Sequence, residues 1–263
     1  MGGGMREEQV LFRKEGPVAY LTIDREKALN ALNHAIMNGL DGLFREIEED
    51  EAVLVVVLTG MGEKAFIAGA DVREIKEAGR GRTAFIAKGQ HLFSRIRRSA
   101  KVAIAAVNGY ALGGGLELAL ACDVRIASEN ARFGLPEAGL GVMAGYGGTQ
   151  LLPRLIGPGM AKYMMFSGVM LNSEEALRVG LVAKVCPGER LMNEARDLAS
   201  RIAVCGPLAL RGCKQAVDGG TELPLDEALR LEREIYDRVA NSADAEEGLS
   251  AFLEKRKPLF RGK

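Results

Sequence analysis

An α/β fold is predicted by two apolar runs of strand length and by the helical periodicities set around them. "VLVVVL" from Val53 and "VAIAAV" from Val102 are continuous rather than alternating, the pattern of strands buried on both faces. Between them, residues 83–99 place Phe85, Ile86, Leu92, Phe93 and Ile96 on one helical face. Upstream, "VAYLTID" from Val18 reads as a strand, and Ile36, Met37, Leu40, Leu43, Phe44 and Ile47 recur at helical spacing after Asn33. Downstream, "DVRIAS" and "ARFG" read as short strands flanking a turn at Glu129 and Asn130. Helices are predicted over 147–155, 160–166 and 174–179, with "LVAKV" from Leu181 as a last strand. From Glu189 the pattern is helical: Leu225, Leu229, Ile235 and Val239 recur along a charged segment, and "DAEEG" from Asp244 offers a capping box. This divides the chain into a core over 1–200 and a helical appendage over 201–263.

Composition narrows the function classes. A chain of 263 residues with 48% hydrophobic content supports one large packed domain or a domain with an appendage. Lys+Arg and Asp+Glu both number 35, and nothing in that balance calls for nucleic acid or an anionic membrane. The apolar runs are far shorter than the roughly 20 residues that span a bilayer. Charge falls where a secretory peptide needs its apolar segment, so no signal sequence is expected, and the opening glycine run is expected to be disordered. Cys122, Cys186, Cys205 and Cys213 lack CxxC spacing, which argues against zinc and a disulfide framework and for reduced thiols in a cytoplasm.

The segment "GYALGGGLELALACD", from Gly109, points to chemistry. Gly113, Gly114 and Gly115 each cost about 1 kcal/mol against alanine in a helix, so the backbone there must bend tightly or be approached closely. Glu117 is an ionisable group among leucines and alanines, which requires partners, a shifted pKa or a water-containing cavity. No nucleotide fingerprint fits: Leu118 and Gln150 stand where GxGxxG needs its last glycine. A glycine-rich helix start serves equally as an oxyanion site, through its free N–H groups and the helix dipole. Gly114 precedes Glu117 by three residues, which sets both on one face. A second carboxylate, Glu137 in "FGLPEAGLG", divides acid and base work with Glu117 if both face one cavity. Taken singly, either glutamate is more often a solvated carboxylate, and Asp71 beside Gly69 more often a turn or cap residue. His34 and His91 lie in helical patterns without a nucleophile motif, so a hydrolytic triad is not expected.

Jointly, "KALNAL" at Lys27, "AFIAGADV" at Ala65, "AAVNGYALGGGLELALACD" at Ala105, "FGLPEAGLG" at Phe133, "GYGGTQ" at Gly145 and "AFLEKRKPLF" at Ala251 resemble the enoyl-CoA hydratase (crotonase) family. The resemblance runs through nearly the whole chain in order. It implies a spiral core of repeated ββα units, which alternation alone does not separate from a doubly wound sheet. It also implies a carboxy-terminal helical trimerisation region and a hexamer built as a dimer of trimers. By the same resemblance the thioester oxygen lies between the N–H groups of Ala70 and Gly114, Glu117 and Glu137 carry the water addition, and the Gly145 N–H helps hold that water. Coenzyme A is expected along Lys27, Ala28, Ala68, Asp71, Val72 and Arg73, with Lys27 and Arg73 near the phosphates and Lys257 reaching in from a neighbouring subunit. No metal or redox cofactor is implied. Three residues depart from the family pattern: Ala144 for a common proline, Tyr146 for a smaller residue, and Leu151 for a common arginine. The function expected is reversible hydration of a small or medium 2-enoyl-CoA. The rivals are double-bond isomerisation, hydration of a branched or cyclic acyl-CoA, and RNA binding as in one branch of the family. Neutral charge and the lack of a basic, aromatic-interleaved stripe count against the last.

Overall fold

The apolar runs become the centre of a sheet covered on both sides. A computed structural model describes residues 9–263, so the amino-terminal glycine run and most of the segment weighed as a signal sequence lie outside the described residues. Strands β1 (Val10–Glu15) and β2 (Val18–Ile23) come first, then helix α1 (His34–Glu49), capped by the Asn33 side chain, which accepts the Ile36 N–H. Three repeats of one plan follow. The first is β3 (Val55–Gly60), β4 (Ala65–Ile67), α2 (Val72–Glu77) and α3 (Arg82–Arg98). The second is β5 (Val102–Val107), β6 (Tyr110–Leu112) and α4 (Gly114–Ala121). The third is β7 (Val124–Ser128), β8 (Arg132–Gly134) and α5 (Gly148–Ile156). The chain continues through α6 (Pro158–Ser167), β9 (Leu171–Asn172), α7 (Ser173–Arg178) and β10 (Lys184–Cys186). Helices α8 (Leu191–Ala203), α9 (Pro207–Gly220), α10 (Leu225–Ala240) and α11 (Ala243–Leu253) complete it.

The strands form two sheets, ordered β1-β2-β3-β5-β7-β10 and β4-β6-β8-β9. Pairing is parallel except for β1 with β2 and β8 with β9. Each repeat therefore adds one strand to the large sheet and one to the small sheet before its helix, which is a spiral of ββα units and not a single doubly wound sheet. Alternate residues of the long strands serve different faces. Val56, Leu58, Ala103 and Ala105 pack with α1 and α3, while Val55, Val57, Ile104 and Ala106 meet Leu191, Ala195 and Ala199 of α8. Two-sided burial is the reason these strands read as unbroken apolar runs.

Three expectations need correction. "LVAKV" is a strand only from Lys184, because Leu181 and Val182 are buried in the preceding loop and the Ala183 N–H bonds to the Arg125 carbonyl. The boundary expected after residue 200 falls inside α8, whose apolar face lies on the large sheet; the chain leaves that helix only at 204–206. "DAEEG" is not a capping box: Ser242 caps α11 by accepting the Ala245 N–H, while the buried Asp244 carboxylate accepts the N–H groups of Arg261 at 2.6 Å and Gly262 at 2.8 Å. On α10, Ile235 is buried against the chain, but Leu225 and Leu229 remain 72% and 42% exposed.

Candidate active site

The glycines of the 113–115 run have separate duties. Gly115 lies so near the end of β4 that a Cβ would overlap the Ile67 carbonyl, which lets α4 start directly against the small sheet. Gly113, at φ +50° and ψ −125°, makes the corner before that helix. A Cβ on Gly113 would stand 3.7 Å from the Gly69 Cα, so two glycine corners adjoin. The residue after each corner presents an N–H. Gly114 is the first residue of α4 and has no intrahelical acceptor. Ala70 bridges Leu32, but the bonds of that bridge use the N–H groups of Leu32 (to Gly69, 2.9 Å) and Asp71 (to Leu32, 2.7 Å), leaving the Ala70 N–H outside the ladder. Two amides at adjoining corners can hold one oxyanion.

Glu117 sits one helical turn further along α4 and is 1% exposed. Its Oε1 accepts the N–H groups of Tyr146 and Gly148, each at 2.7 Å. Burial pushes its pKa up to about 7; the Gly148 and Tyr146 amides act against that rise, and the Glu137 charge adds to it. A carboxyl that titrates near neutrality can take and return a proton with little penalty either way. Glu137 opens the single 3-10 turn Glu137–Leu140 behind Pro136, and burial raises its pKa too. Its Oε1 lies 2.8 Å from where a Gly113 Cβ would be, and its Oε2 is buried with no hydrogen-bond partner among the described residues. The two glutamates and the two amides thus converge on one region.

The amides of Tyr146 and Gly148 were not among the residues expected at the site. Their signal was the "GYGGTQ" run: Gly147 takes φ +119°, and a Cβ on Gly148 would stand 3.0 Å from Glu117. Gly145 belongs to the same loop, where its carbonyl accepts the Gln90 side chain at 2.7 Å.

The expected coenzyme segments are also neighbours. Leu29 and Asn30 adopt left-handed φ values of 51° and 59°, and the Leu29 carbonyl accepts the Ala68 N–H at 3.0 Å. Asn30 is fully buried; its amide donates to the carbonyls of Met61 at 3.0 Å and Ala65 at 2.8 Å, and its oxygen accepts the Arg25 N–H at 3.0 Å. Lys27 and Ala28 are thereby set beside Ala68 and the start of α2. Asp71 caps that helix through the Arg73 N–H at 2.9 Å and pairs with Arg25 at 2.7 Å. Burial raises the Asp71 pKa, but the Arg25 guanidinium and the Arg73 and Glu74 amides together outweigh it and hold the carboxyl below its usual value. Lys27, Val72 and Arg73 are exposed beside it. Lys257 lies in a tail held on α11 through the Arg256 and Glu247 pair, and no contact among the described residues brings it to the site. No group of three or more His, Cys, Asp or Glu that could hold a metal occurs among the described residues.

Comparison with known proteins identifies the family. The enoyl-CoA hydratase/isomerase family model matches residues 13–263. A short-chain-enoyl-CoA hydratase of Clostridium acetobutylicum is 48% identical over 96% of this chain and 97% of its own. A crotonyl-CoA hydratase of Syntrophomonas wolfei is 44% identical over 98% of this chain and 100% of its own. The crystal structure of an enoyl-CoA hydratase from Bacillus anthracis superimposes with a TM-score of 0.94 at 38% identity, covering 97% of this chain and 100% of that one. With its spiral of ββα repeats, its paired backbone amides and its buried Glu117 beside the half-buried Glu137, the chain belongs to the enoyl-CoA hydratase/isomerase family.

Proposed function

We propose that this protein adds water reversibly across the 2,3 double bond of small or medium 2-enoyl-CoA thioesters to give 3-hydroxyacyl-CoA. The observation that carries the reading is the pair of carboxyls, the buried Glu117 and the half-buried Glu137, beside the Ala70 and Gly114 amides. The thioester oxygen binds those two N–H groups, which draws electron density from C3. Each such donor is worth about 2.7–4 kcal/mol in a transition state. Glu117 enters ionised and takes a proton from water as the water oxygen bonds to C3, with the Gly145 N–H assigned to hold that water. Glu137 enters protonated and gives its proton to C2. One water is added in all, and a single proton moved from Glu117 to Glu137 resets the site. Burial raises both carboxyls, and the Glu137 charge raises Glu117 further, which favours such a one-proton pair. Water and the two carboxyls balance this reaction, so no cofactor is assigned.

Lys27 and Arg73 are assigned to the coenzyme phosphates, the backbone at Ala28, Ala68 and Val72 to its adenine, and Lys257 to a neighbouring subunit's coenzyme. Asp71 acts there through the Arg25 pair and the α2 cap. The names of the Clostridium and Syntrophomonas relatives support a short acyl group. In oxygen-18 water, crotonyl-CoA is expected to become 3-hydroxybutyryl-CoA labelled at C3. Conversion of a 3-enoyl thioester to its 2-enoyl isomer, with no 2-enoyl thioester gaining solvent oxygen, would instead establish an isomerase.

The exposed leucines of α10 support assembly into a hexamer of two trimers. Sedimentation at micromolar concentration is expected to give that species, and a stable monomer would refute it. No helix among the described residues is long and apolar enough to cross a membrane, and the four free cysteines suit the cytoplasmic location we assign.

A further inference from the structure

Next to the candidate site, a cleft of about 400 Å³ opens between α1 and α3. His34 and Met37 line it from α1, Phe85 and Leu92 from α3, and Tyr146 is the residue it shares with the site. Tyr146 is only 4% exposed, and its backbone N–H is the one bonded to Glu117. Its ring is wedged in a slot between two glycines. One edge lies where a Gly89 Cβ would have to be, and the other lies 3.1 Å from where a Gly114 Cβ would be. Phe93 meets the ring edge-on at a centroid distance of 5.3 Å, and Phe85 is tilted against it at 6.3 Å. The hydroxyl has no hydrogen-bond partner among the described residues, so shape and not a polar tether places the ring.

We infer that Tyr146 sets the acyl-length limit: its ring stands between the thioester position at Gly114 and the α1–α3 cleft, and a smaller residue there joins the two spaces. The inference rests on the hydratase reading. A tail confined in front of the ring is short, whereas one that passes it gains the mainly apolar surface of that open cleft, whose lining also includes Asn38, Asp41, Lys88 and His91. Each methylene newly buried there strengthens binding about fourfold. A methylene stopped by the ring gains nothing or clashes.

The test measures kcat/KM for crotonyl-, 2-hexenoyl-, 2-octenoyl- and 2-decenoyl-CoA in the wild type, Tyr146→Phe, Tyr146→Leu and Tyr146→Ala. Calorimetric binding of the saturated butyryl-to-decanoyl series accompanies it. The wild type and Tyr146→Phe are expected to favour crotonyl over octenoyl by about 100-fold, and Tyr146→Ala to raise the octenoyl-to-crotonyl ratio by a similar factor. Tyr146→Leu, a smaller change in volume, is expected to move the ratio the same way and carries the test if the alanine variant does not fold. In the wild type, binding is expected to stop improving beyond the short chains. An unchanged ratio in a folded, crotonyl-active variant overturns the inference, as does a steady gain per methylene through decanoyl in the wild type. Those outcomes leave the hydratase reading intact. Wild-type hydration of no 2-enoyl thioester, with a saturated series that still stops at short chains and extends in Tyr146→Leu, would refute that reading and support the length limit.

Discussion

Glu117→Gln is expected to lower kcat for crotonyl-CoA hydration by about three to four orders of magnitude while leaving acyl-CoA affinity nearly unchanged. The amide oxygen of glutamine still accepts from Tyr146 and Gly148, so the loop stays seated. What is lost is the atom that, on the proposed mechanism, takes the proton from water. Turnover within tenfold of the wild type would sink the two-carboxyl mechanism. The same variant has a stability signature of opposite sign. In the fold the Glu117 pKa lies at about 7 against 4.5 as reference, so between those values the native state keeps a proton the unfolded chain has released. Wild-type stability therefore falls as pH rises through that window, by an amount on the order of 3 kcal/mol once it is passed. Glutamine has no proton to lose. Melting curves are expected to match below pH 4.5 and to favour Glu117→Gln at pH 8; an offset independent of pH would show that burial of the charge is not its origin.

Gly115→Ala is expected to cost about two to three orders of magnitude in kcat and about 1–3 kcal/mol of stability. Its Cβ would overlap the Ile67 carbonyl, a backbone atom of β4 that cannot rotate away. α4 and β4 must then part, and with them the Gly114 and Ala70 amides that meet one oxygen on the proposed mechanism. Gly159→Ala is the control, because a Cβ in that turn of α6 meets nothing within 4 Å. It is expected to hold or raise stability by about 0.5–1 kcal/mol without affecting rate. Unchanged rate and melting temperature in Gly115→Ala would mean that the contact between α4 and β4 does not set the donor spacing.

The large sheet was legible because burial on both faces leaves a mark in composition, as at 53–58 and 102–107. The helices α1 and α3 were legible because one buried face repeats with helical period. The small sheet was not: β4, β6 and β8 have three residues each, too few to show any period, and lie in glycine-rich segments. Glu117 stood out as a carboxylate among leucines, yet its partners are main-chain groups 29 and 31 residues away, which have no side-chain signature. The nearness of Ala70 to Gly114 came from resemblance, since nothing in either segment states which strands pair. The glycine run was read as one requirement, for a tight bend or a close approach. Its three positions answer to three neighbours: the Gly113 corner, the Tyr146 ring beside Gly114 and the Ile67 carbonyl beside Gly115. For Asp71 the plain reading as a cap matches its place at the start of α2.

In water the two oxygens of a carboxylate are interchangeable; in Glu117 they are not. Oε1 is taken by two amides from the 146–148 loop, and the basic character of the group is left to Oε2. On the proposed mechanism, water is then deprotonated at one point in space, against one face of a flat double bond whose carbonyl is already fixed. On that mechanism the handedness of the hydroxyl product is set by the face of the double bond that Oε2 meets, and two main-chain N–H groups choose which oxygen is left to meet it.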